Sequence, residues 1–401
     1  MSRFQPFRAL RYDPSRVDLA DVTVPPYDVI DEPERARLVA RHADSAIRID
    51  LPVAAPAEAV DVYQAAAELL AEWQATGVLV RDDAPGFYGY RMTFIGSDGE
   101  PRHTTGVFGA LALAEPGDGH ILPHEFTTPK AKSDRLRLTQ ATHANLSAVW
   151  GLSASAGLTE LIDPGDATAT TWTDEAGIEH SLWPIFDADR LAAIADLADA
   201  APVVIADGHH RYETALTYRT EQRALGADGD PGAESVLLYL VELAEDELTV
   251  LPIHRLLSGL PDGFDLREAL APFFDIEPAP LLGPDLAAAM SAAGALTLVL
   301  PDGAWFLKPT PELNAQARDL DTSRLDVALA TLPPHDLVFQ HGVDHVVDRV
   351  TAGDAQAGVL LRPATVGQIL EIAHGGERMP PKTTFFHPKP RTGVVFRLLD
   401  E

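Results

Sequence analysis

The sequence predicts an α/β protein with mixed sheets, and three observations lead to this fold class. Residues 57–76 carry apolar side chains at the spacing of one helix face, and Gly77 follows where a helix commonly ends. Residues 87–94 and 104–113 are rich in strand-forming side chains on either side of a Ser-Asp-Gly turn. An apolar run at 203–205 precedes a segment of helical character. Strands that alternate with helices are typical of α/β folds.

The first part of the chain combines a rigid segment with short elements. Pro25 and Pro26 fix two φ angles and restrict the residues before them, so the Pro-Pro-Tyr-Asp stretch is expected to be stiff. An Asp-Glu-Pro-Glu run with Pro33 near its start predicts a helix through residue 39. Residues 46–51 alternate in polarity, which predicts a strand. Residues 132–138 are predicted to be helical.

The later elements continue the alternation, and a turn-rich stretch divides them. Residues 258–263 contain serine, glycine and proline, and this composition predicts a boundary between domains 1–257 and 258–401. The predicted elements are helices at 187–200, 212–225, 265–274, 284–293 and 365–374, and strands at 202–205, 235–243, 295–300, 305–307, 357–361 and 394–399.

The composition excludes several classes of function. With 31 basic and 60 acidic residues, the formal charge of −29 repels nucleic acid and anionic membranes. The absence of cysteine excludes disulfides, thiolate nucleophiles and cysteine-based zinc sites. No apolar run is long enough to cross a membrane, and the first residues lack the apolar core of a signal peptide, so a cytoplasmic location is expected.

The densest functional signal lies at a predicted strand-to-helix junction. It consists of Asp207, Gly208, His209, His210 and Arg211. Such a junction presents backbone N–H groups and the positive end of a helix dipole, which bind anions. Arg211 can add a bidentate contact to a phosphate, and the histidines can donate hydrogen bonds and move protons. Turn chemistry with Asp207 as a helix cap explains the Asp-Gly pair but not the His-His-Arg run, so we predict an anion site.

A second polar cluster follows Pro123. His124 and Glu125 begin like a His-Glu-x-x-His zinc motif, but Thr128 stands where the second histidine belongs, which excludes that metal site. Glu125 is a candidate general base, and the alternative is an ordinary carboxylate on a surface loop.

The C-terminal part offers a stiffened loop and a pair of histidines. Lys382, Thr383 and Thr384 provide one cation and two hydroxyls, which suit a carboxylate or a phosphate, although a solvated turn explains the loop equally well. His341 and His345 have the spacing of a metal pair on a helix, but a solvated amphipathic face is the simpler explanation. No metal site is predicted from these side chains.

Several nucleotide and hydrolase motifs are absent from the sequence. It contains no Gly-Lys-Ser/Thr of a Walker A loop, no Gly-x-Gly-x-x-Gly after a strand, and no complete nucleophile elbow. A nucleotide would therefore need a different phosphate cradle.

Three separated stretches resemble archaeal ADP-dependent free-serine kinases of the ParB/sulfiredoxin-like nucleotide-binding superfamily. In the same order as in those kinases, they are Pro123-His124-Glu125, Asp207-Gly208-His209-His210-Arg211 and Pro381-Lys382-Thr383-Thr384. The whole chain also resembles the DUF1015 family, with Pro-Pro-Tyr-Asp at 25–28 and Lys-Thr-Thr at 382–384 as hallmarks. This implies a ParB/sulfiredoxin-like core with additional N-terminal elements and a smaller C-terminal α/β domain that supplies the Lys-Thr-Thr loop.

The resemblance implies phosphoryl transfer from ADP or ATP, with Mg²⁺, to a small hydroxylated metabolite, and free L-serine is the first candidate. Glu125 would be the general base, and Asp207 would position Mg²⁺ or the attacking hydroxyl. The phosphate cradle would consist of Gly208, His209, His210 and Arg211, with His209 also close to the chemistry. The amino-acid substrate would be held by His124, Lys382, Thr383 and Thr384.

Two other functions compete with the kinase. One is a ParB-like nucleotide-binding regulatory protein, for which the charge of −29 and the lack of a basic helix-turn-helix argue against DNA contact. The other is a hydrolase or nuclease that uses the same phosphate site, and the Lys-Thr-Thr loop favours an amino-acid carboxylate over this alternative.

Overall fold

The computed structural model describes residues 3–53, 61–96, 99–115, 117–123, 129–165, 168–226, 229–245, 247–280, 283, 285–375, 379–380 and 382–401. The chain divides into two compact units. The first comprises Met1–Thr249 and Pro388–Glu401, and the second comprises Val250–His387.

The strands are numbered along the chain, and those of the second unit interrupt those of the first. In order they are β1 (Phe4–Gln5), β2 (Leu10–Tyr12), β3 (Leu79–Arg81), β4 (Phe87–Ile95), β5 (Pro101–Ala112), β6 (Ile121–Pro123), β7 (Ala144–Asn145), β8 (Val149–Ser153), β9 (Thr170–Thr173), β10 (Glu179–Ile185), β11 (Val203–Asp207), β12 (Ser235–Glu242), β13 (Thr249–Pro252), β14 (His254–Ser258), β15 (Phe274–Pro278), β16 (Leu296–Leu300), β17 (Gly303–Pro309), β18 (Asp336–Gln340), β19 (Ala357–Leu360), β20 (Thr384–His387) and β21 (Arg397–Leu398).

The α-helices are numbered in the same way. They are α1 (Leu19–Val22), α2 (Glu32–Arg41), α3 (Ile47–Asp50), α4 (Val62–Ala75), α5 (Pro129–Thr142), α6 (Leu158–Ile162), α7 (Ala188–Asp199), α8 (His209–Leu225), α9 (Leu266–Leu270), α10 (Leu286–Ala293), α11 (Pro311–Gln316), α12 (Asp321–Leu329), α13 (Val343–Thr351) and α14 (Val366–His374). Short 3₁₀ turns occupy Tyr27–Val29 and Pro231–Glu234.

The first unit is built on one mixed sheet with the order β6-β11-β8-β12-β5-β4-β10-β9, and β1 also pairs with β5. β6 runs parallel to β11, and β8 runs parallel to β12, whereas β11 and β8 are antiparallel. The mixed α/β fold class predicted from the sequence is therefore confirmed. β12 is buried along most of its length because its apolar run lies between two neighbours, which is why it shows no polar alternation.

Helices α7 and α8 contribute to the apolar core of this sheet. Ile194 of α7 and Tyr212 and Ala215 of α8 belong to the same buried cluster as Ile205 and Leu238 of the sheet. The spacing of Tyr212 and Ala215 puts them on one face of α8, so the helix is held against the sheet by that stripe.

One predicted strand is wrong. Residues 46–51 form the short helix α3, in which the Asp50 N–H donates to the Ala46 carbonyl at 3.0 Å and the Leu51 N–H donates to the Ile47 carbonyl at 2.9 Å. Two isoleucines two residues apart are too short a pattern to separate a strand from a helical turn, and here both are buried by their tertiary surroundings.

The second unit contains an antiparallel sheet with the order β15-β17-β16-β19-β14-β18. β13 and β20 form a separate pair. Leu257 lies in one apolar cluster with Leu270 and Leu325, whereas its neighbour Leu256 lies in another with Val346. Successive strand residues point to opposite faces, so helices α9 and α12 cover one face and α13 covers the other.

The observed division of the chain differs from the predicted boundary at 257/258. β14 spans that position and is hydrogen-bonded on both sides, to β18 and β19, so it belongs to the second unit. The last residues return to the first unit, where β21 pairs with β7. A pairing between residues this far apart leaves no local sign in the sequence.

Candidate functional site

The site forms where β11 turns into helix α8. β11 ends at Asp207 after a β-bulge that shifts its register between Ile205 and Asp207, and Gly208 follows with φ of 89°. Helix α8 begins at His209. A bulge re-aims the side chain that follows it, and a left-handed residue lets the chain enter the helix at a sharp angle.

Gly208 is required at this turn for two reasons. Its positive φ is one that other residues rarely adopt, and a Cβ here would lie 3.0 Å from Nε of Arg211 and 3.2 Å from Cα of Val149. Because glycine has no side chain to cap the helix, the first turn of α8 has no side-chain cap. The positive end of a long helix therefore begins at Gly208 without a carboxylate cap.

Asp207 binds two cations. Its Oδ1 accepts a hydrogen bond from Nζ of Lys389 at 2.6 Å, and its Oδ2 accepts one from Nη2 of Arg211 at 2.5 Å. Burial acts to raise the pKa of Asp207, but Lys389 and Arg211 outweigh it and hold this pKa well below its usual range. The carboxylate is therefore ionised throughout the physiological pH range.

Lys389 connects two parts of the first unit. Its ammonium donates to Asp207 and also to Oδ2 of Asp28 at 2.6 Å. Burial acts to lower the pKa of Lys389, but the two carboxylates raise it above its usual value. The ammonium therefore stays charged and ties the Pro-Pro-Tyr-Asp segment to the junction.

Arg211 is fully engaged at both terminal nitrogens. Nη1 donates to the carbonyl of Ala148 next to β8, while Nη2 donates to Asp207. Its Nε is buried and has no hydrogen-bond partner among the described residues. The guanidinium that was predicted to bind a phosphate thus donates to protein acceptors. It stabilises the turn and also places a positive charge there.

Two guanidinium groups lie over the ring of Tyr27. Cζ of Arg135 lies 4.2 Å from the centre of the Tyr27 ring, and Cζ of Arg211 lies 5.9 Å from it. Arg135 donates to the carbonyl of Asp50 at 2.6 Å and to its carboxylate at 3.3 Å. Burial raises the pKa of Asp50, an effect that Arg135 and Arg211 partly offset. Such cation–π contacts stabilise the rigid segment beside the turn.

A small cavity lies behind Arg211 in the first unit. Its volume is about 50 Å³, enough for a few water molecules. Its polar lining includes Asn145 and Ser147, and Thr214, whose hydroxyl has no partner among the described residues. The cavity is too small for a nucleotide.

His209 and His210 are half-buried in the first turn of α8. His209 is close enough to Asp207 to help lower the pKa of that carboxyl. The junction thus contains the four predicted cradle residues, Gly208 to Arg211, directly after Asp207.

The other predicted site residues lie outside the described residues or in the second unit. His124 and Glu125 lie outside the described residues, as does Thr128. Lys382, Thr383 and Thr384 belong to the second unit.

In that unit Lys382 has a positive φ of 58°, and its carbonyl accepts a hydrogen bond from buried Arg255 at 3.0 Å. The Thr383 hydroxyl donates to the Pro380 carbonyl at 2.6 Å. Thr383 also lines a cavity of about 340 Å³, and Arg362 is another of its lining residues.

Sequence reasoning missed several residues of the site, notably Lys389, Asp50 and Arg135. Lys389 stands between two prolines in a run that reaches the junction only through folding. The sequence indicates Tyr27 and Asp28 only as part of a stiff segment, because nothing local to them points to the junction. A lysine flanked by prolines was the one local sign of a fixed cation.

A divalent cation at the junction would have two carboxylates nearby, Asp207 and Asp28, which share Lys389. The described residues contain no cluster of three or more His, Asp or Glu side chains that could hold a metal ion alone, and His341 precedes α13 rather than lying on it with His345. Mg²⁺ commonly takes one or two carboxylates together with substrate phosphates and waters. Asp207 fits that pattern.

Within the described chain, no helix is both long and apolar enough to cross a membrane.

Comparisons with known proteins give one family and several distant structures. A family model described as "Protein of unknown function (DUF1015)" matches residues 4–328. The match to the structure of a free serine kinase in complex with AMP covers 70% of this chain and 86% of the kinase chain, at 13% identity and a TM-score of 0.36. The match to a conserved hypothetical protein from Pyrococcus furiosus covers 74% of this chain and 96% of that protein's chain, at 12% identity and a TM-score of 0.37.

SbnI with C-terminal truncation from Staphylococcus aureus covers 71% of this chain and 85% of its own, at 11% identity and a TM-score of 0.39. Among curated proteins, none matches this chain.

Proposed function

The chain belongs to the DUF1015 family, and we propose that it is a nucleotide-dependent phosphotransferase. Its acceptor would be a small hydroxylated metabolite, with free L-serine as the first to test. The donor would be ADP or ATP with Mg²⁺.

The observation that carries this proposal is the junction at Gly208. A long helix starts there without a side-chain cap, directly after an ionised carboxylate that is flanked by Arg211 and Lys389. Backbone N–H groups at a helix start bind phosphate, and fixed cations neutralise the charge that develops during transfer. Phosphoryl transfer needs positioning and charge neutralisation more than covalent chemistry, which suits this arrangement.

Asp207 is unsuited to remove a proton from the acceptor. A general base works best when its pKa lies near the operating pH, and the pKa of Asp207 is held far below that by Lys389 and Arg211 against the effect of burial. We assign Asp207 to electrostatic positioning, including a ligand position for Mg²⁺. When bound, that ion would neutralise charge on the phosphates of the nucleotide.

Glu125 is the proposed base. The nearest described residue before it is Pro123, which is the register partner of Ile205 in the parallel pair of β6 and β11. Carboxyl ends of adjacent parallel strands meet at one edge of a sheet, and ligands bind there. Glu125 would take the hydroxyl proton as the acceptor oxygen attacks the terminal phosphorus. The bond from that phosphorus to its bridging oxygen would break, which releases AMP from ADP or ADP from ATP. His209 and His210 would donate hydrogen bonds to the phosphates, and His124 and Lys382 to Thr384 would hold the acceptor.

The test is formation of O-phosphoserine from L-serine with Mg²⁺ and either ADP or ATP. The Glu125→Gln variant should lose at least about a hundredfold in turnover, because a general base contributes that much, while nucleotide affinity stays within about twofold. Glu68→Gln, at an exposed position on α4, is the matched control and should retain full turnover.

The outcomes separate the alternatives. Nucleotide binding by the wild type without product from any hydroxylated acceptor would indicate a ParB-like regulatory protein. Loss of nucleotide binding in Glu125→Gln would contradict the base assignment, and release of phosphate without an acceptor would indicate a hydrolase.

A further inference from the structure

The junction contains one cation, the ammonium of Lys389, that does not come from helix α8. Lys389 comes from the C-terminal segment of the first unit, 182 residues from Asp207 in sequence, and its side chain is only 11% exposed. Both hydrogen bonds that it makes to Asp28 and Asp207 measure 2.6 Å. A buried ammonium with two carboxylate partners is fixed in place rather than free to sample solvent.

The two carboxylates that bind Lys389 are not equivalent. Asp207 is 20% exposed and also holds Arg211, whereas Asp28 is 36% exposed. If the ammonium moved away, Asp28 would be solvated at little cost, while Asp207 would lose a partner inside the protein. Asp28 is therefore the partner that an incoming anion can replace.

The charges of this cluster are balanced before any ligand binds. Asp28 and Asp207 carry two negative charges, and Lys389 and Arg211 carry two positive charges. A polyphosphate at the start of α8 would bring further negative charge next to Asp28 and would need a cation. Lys389 already touches the carboxylate that directly precedes Gly208.

We propose that Lys389 is a phosphate-binding residue of this site and that Asp28 competes with the ligand for its ammonium. The inference rests on the proposed function, because it takes the ligand to be a polyphosphate anion such as a nucleoside diphosphate. On binding, Lys389 keeps its bond to Asp207 and exchanges Asp28 for a phosphate oxygen. Asp28 thus sets the affinity of the site from within the Pro-Pro-Tyr-Asp segment.

The two substitutions are expected to act in opposite directions on the affinity for ADP and for inorganic pyrophosphate, measured by calorimetry on the full chain. Lys389→Met should weaken binding about tenfold or more, because a charge-assisted hydrogen bond is lost, and Lys389→Arg should restore most of it. Asp28→Asn should strengthen binding several-fold, because it removes the competing carboxylate and its repulsion of the phosphate.

The double variant distinguishes competition from a structural clamp. If Asp28 restrains Lys389, the loss caused by Lys389→Met should be larger in the Asp28→Asn background than in the wild type. If the bridge only holds the segment in place, both single variants should weaken binding and lower the melting temperature together, which would overturn the inference. Unchanged ADP affinity in Lys389→Met would also overturn it.

Two controls keep the result interpretable. Lys308→Met removes a lysine that pairs with Glu277 in the second unit, and Asp400→Asn removes an exposed carboxylate that pairs with Arg81. Both should leave ADP affinity within about twofold. If Lys389→Met fails to fold, Asp28→Asn still decides, because affinity that does not rise contradicts competition. If the wild type binds neither ADP nor pyrophosphate, the proposed function fails and the inference falls with it.

Discussion

At the scale of single residues, the site depends on how one carboxylate is surrounded. Asp207 would be costly to bury alone, but Lys389 and Arg211 each donate to a different oxygen of it. The same two contacts that keep it ionised make it a poor base, which supports the electrostatic role proposed for it. The sequence indicated Asp207 and Arg211 because they lie in one polar run, whereas Lys389 is adjacent only in the folded chain.

Replacement of Asp207 by asparagine should lower the free energy of unfolding by about 3 kcal/mol at pH 7, because two buried cations lose their partner. The folded-state pKa of Asp207 is lowered, so its contribution is complete above the pKa of the unfolded chain, near 3.9, and is lost as the pH falls through the folded-state value. Urea unfolding should therefore show a constant difference between wild type and variant from pH 8 to pH 5.

The difference should shrink only below about pH 4, within the window that these pKa values define. Asp83→Asn, at an exposed position in the same unit, should change stability by no more than about 0.5 kcal/mol. A difference that disappears already between pH 7 and pH 5 would show that Asp207 is not held by its two cations.

At the scale of elements, the strand, the left-handed glycine and the helix act as one device. The parallel pair of β6 and β11 brings two chain segments to the same sheet edge, and the glycine starts a helix there without a cap. Local patterns predicted β11 from its apolar run and α8 from the helical character of residues 212–225. The same reasoning failed at α3, where four residues are too few for a period to emerge.

Gly208→Ala tests this device directly. We expect it to cost about 1–3 kcal/mol in stability from backbone strain and to weaken ADP binding at least about tenfold, because its Cβ would push against Arg211 and Val149. Thermal unfolding and calorimetry measure the two effects.

Gly157 supplies a close control, since it also precedes a helix with a positive φ of 97° but a Cβ there meets nothing within 4 Å. Gly157→Ala should show comparable strain and unchanged ADP affinity. Equal ADP affinity in wild type and Gly208→Ala would exclude the turn as the phosphate site.

At the scale of the whole molecule, the chain closes its first unit with its last residues. Residues 388–401 supply Lys389 and strand β21 to the first unit. The chain reaches them only after it has formed the second unit, which lies within the sequence of the first. A boundary predicted from composition placed these residues in the C-terminal domain, because long-range pairing leaves no trace in local composition. The chain carries a formal charge of −29, so an anion at the junction would need locally fixed cations such as Lys389 and Arg211.

The most direct measurement of the central claim is a crystal structure of the protein with ADP and Mg²⁺. We expect phosphate oxygens within hydrogen-bond distance of the backbone N–H groups at His209 to Arg211, with Lys389 in contact with a phosphate. ADP bound elsewhere in the molecule, with the turn at Gly208 free of phosphate, would contradict it.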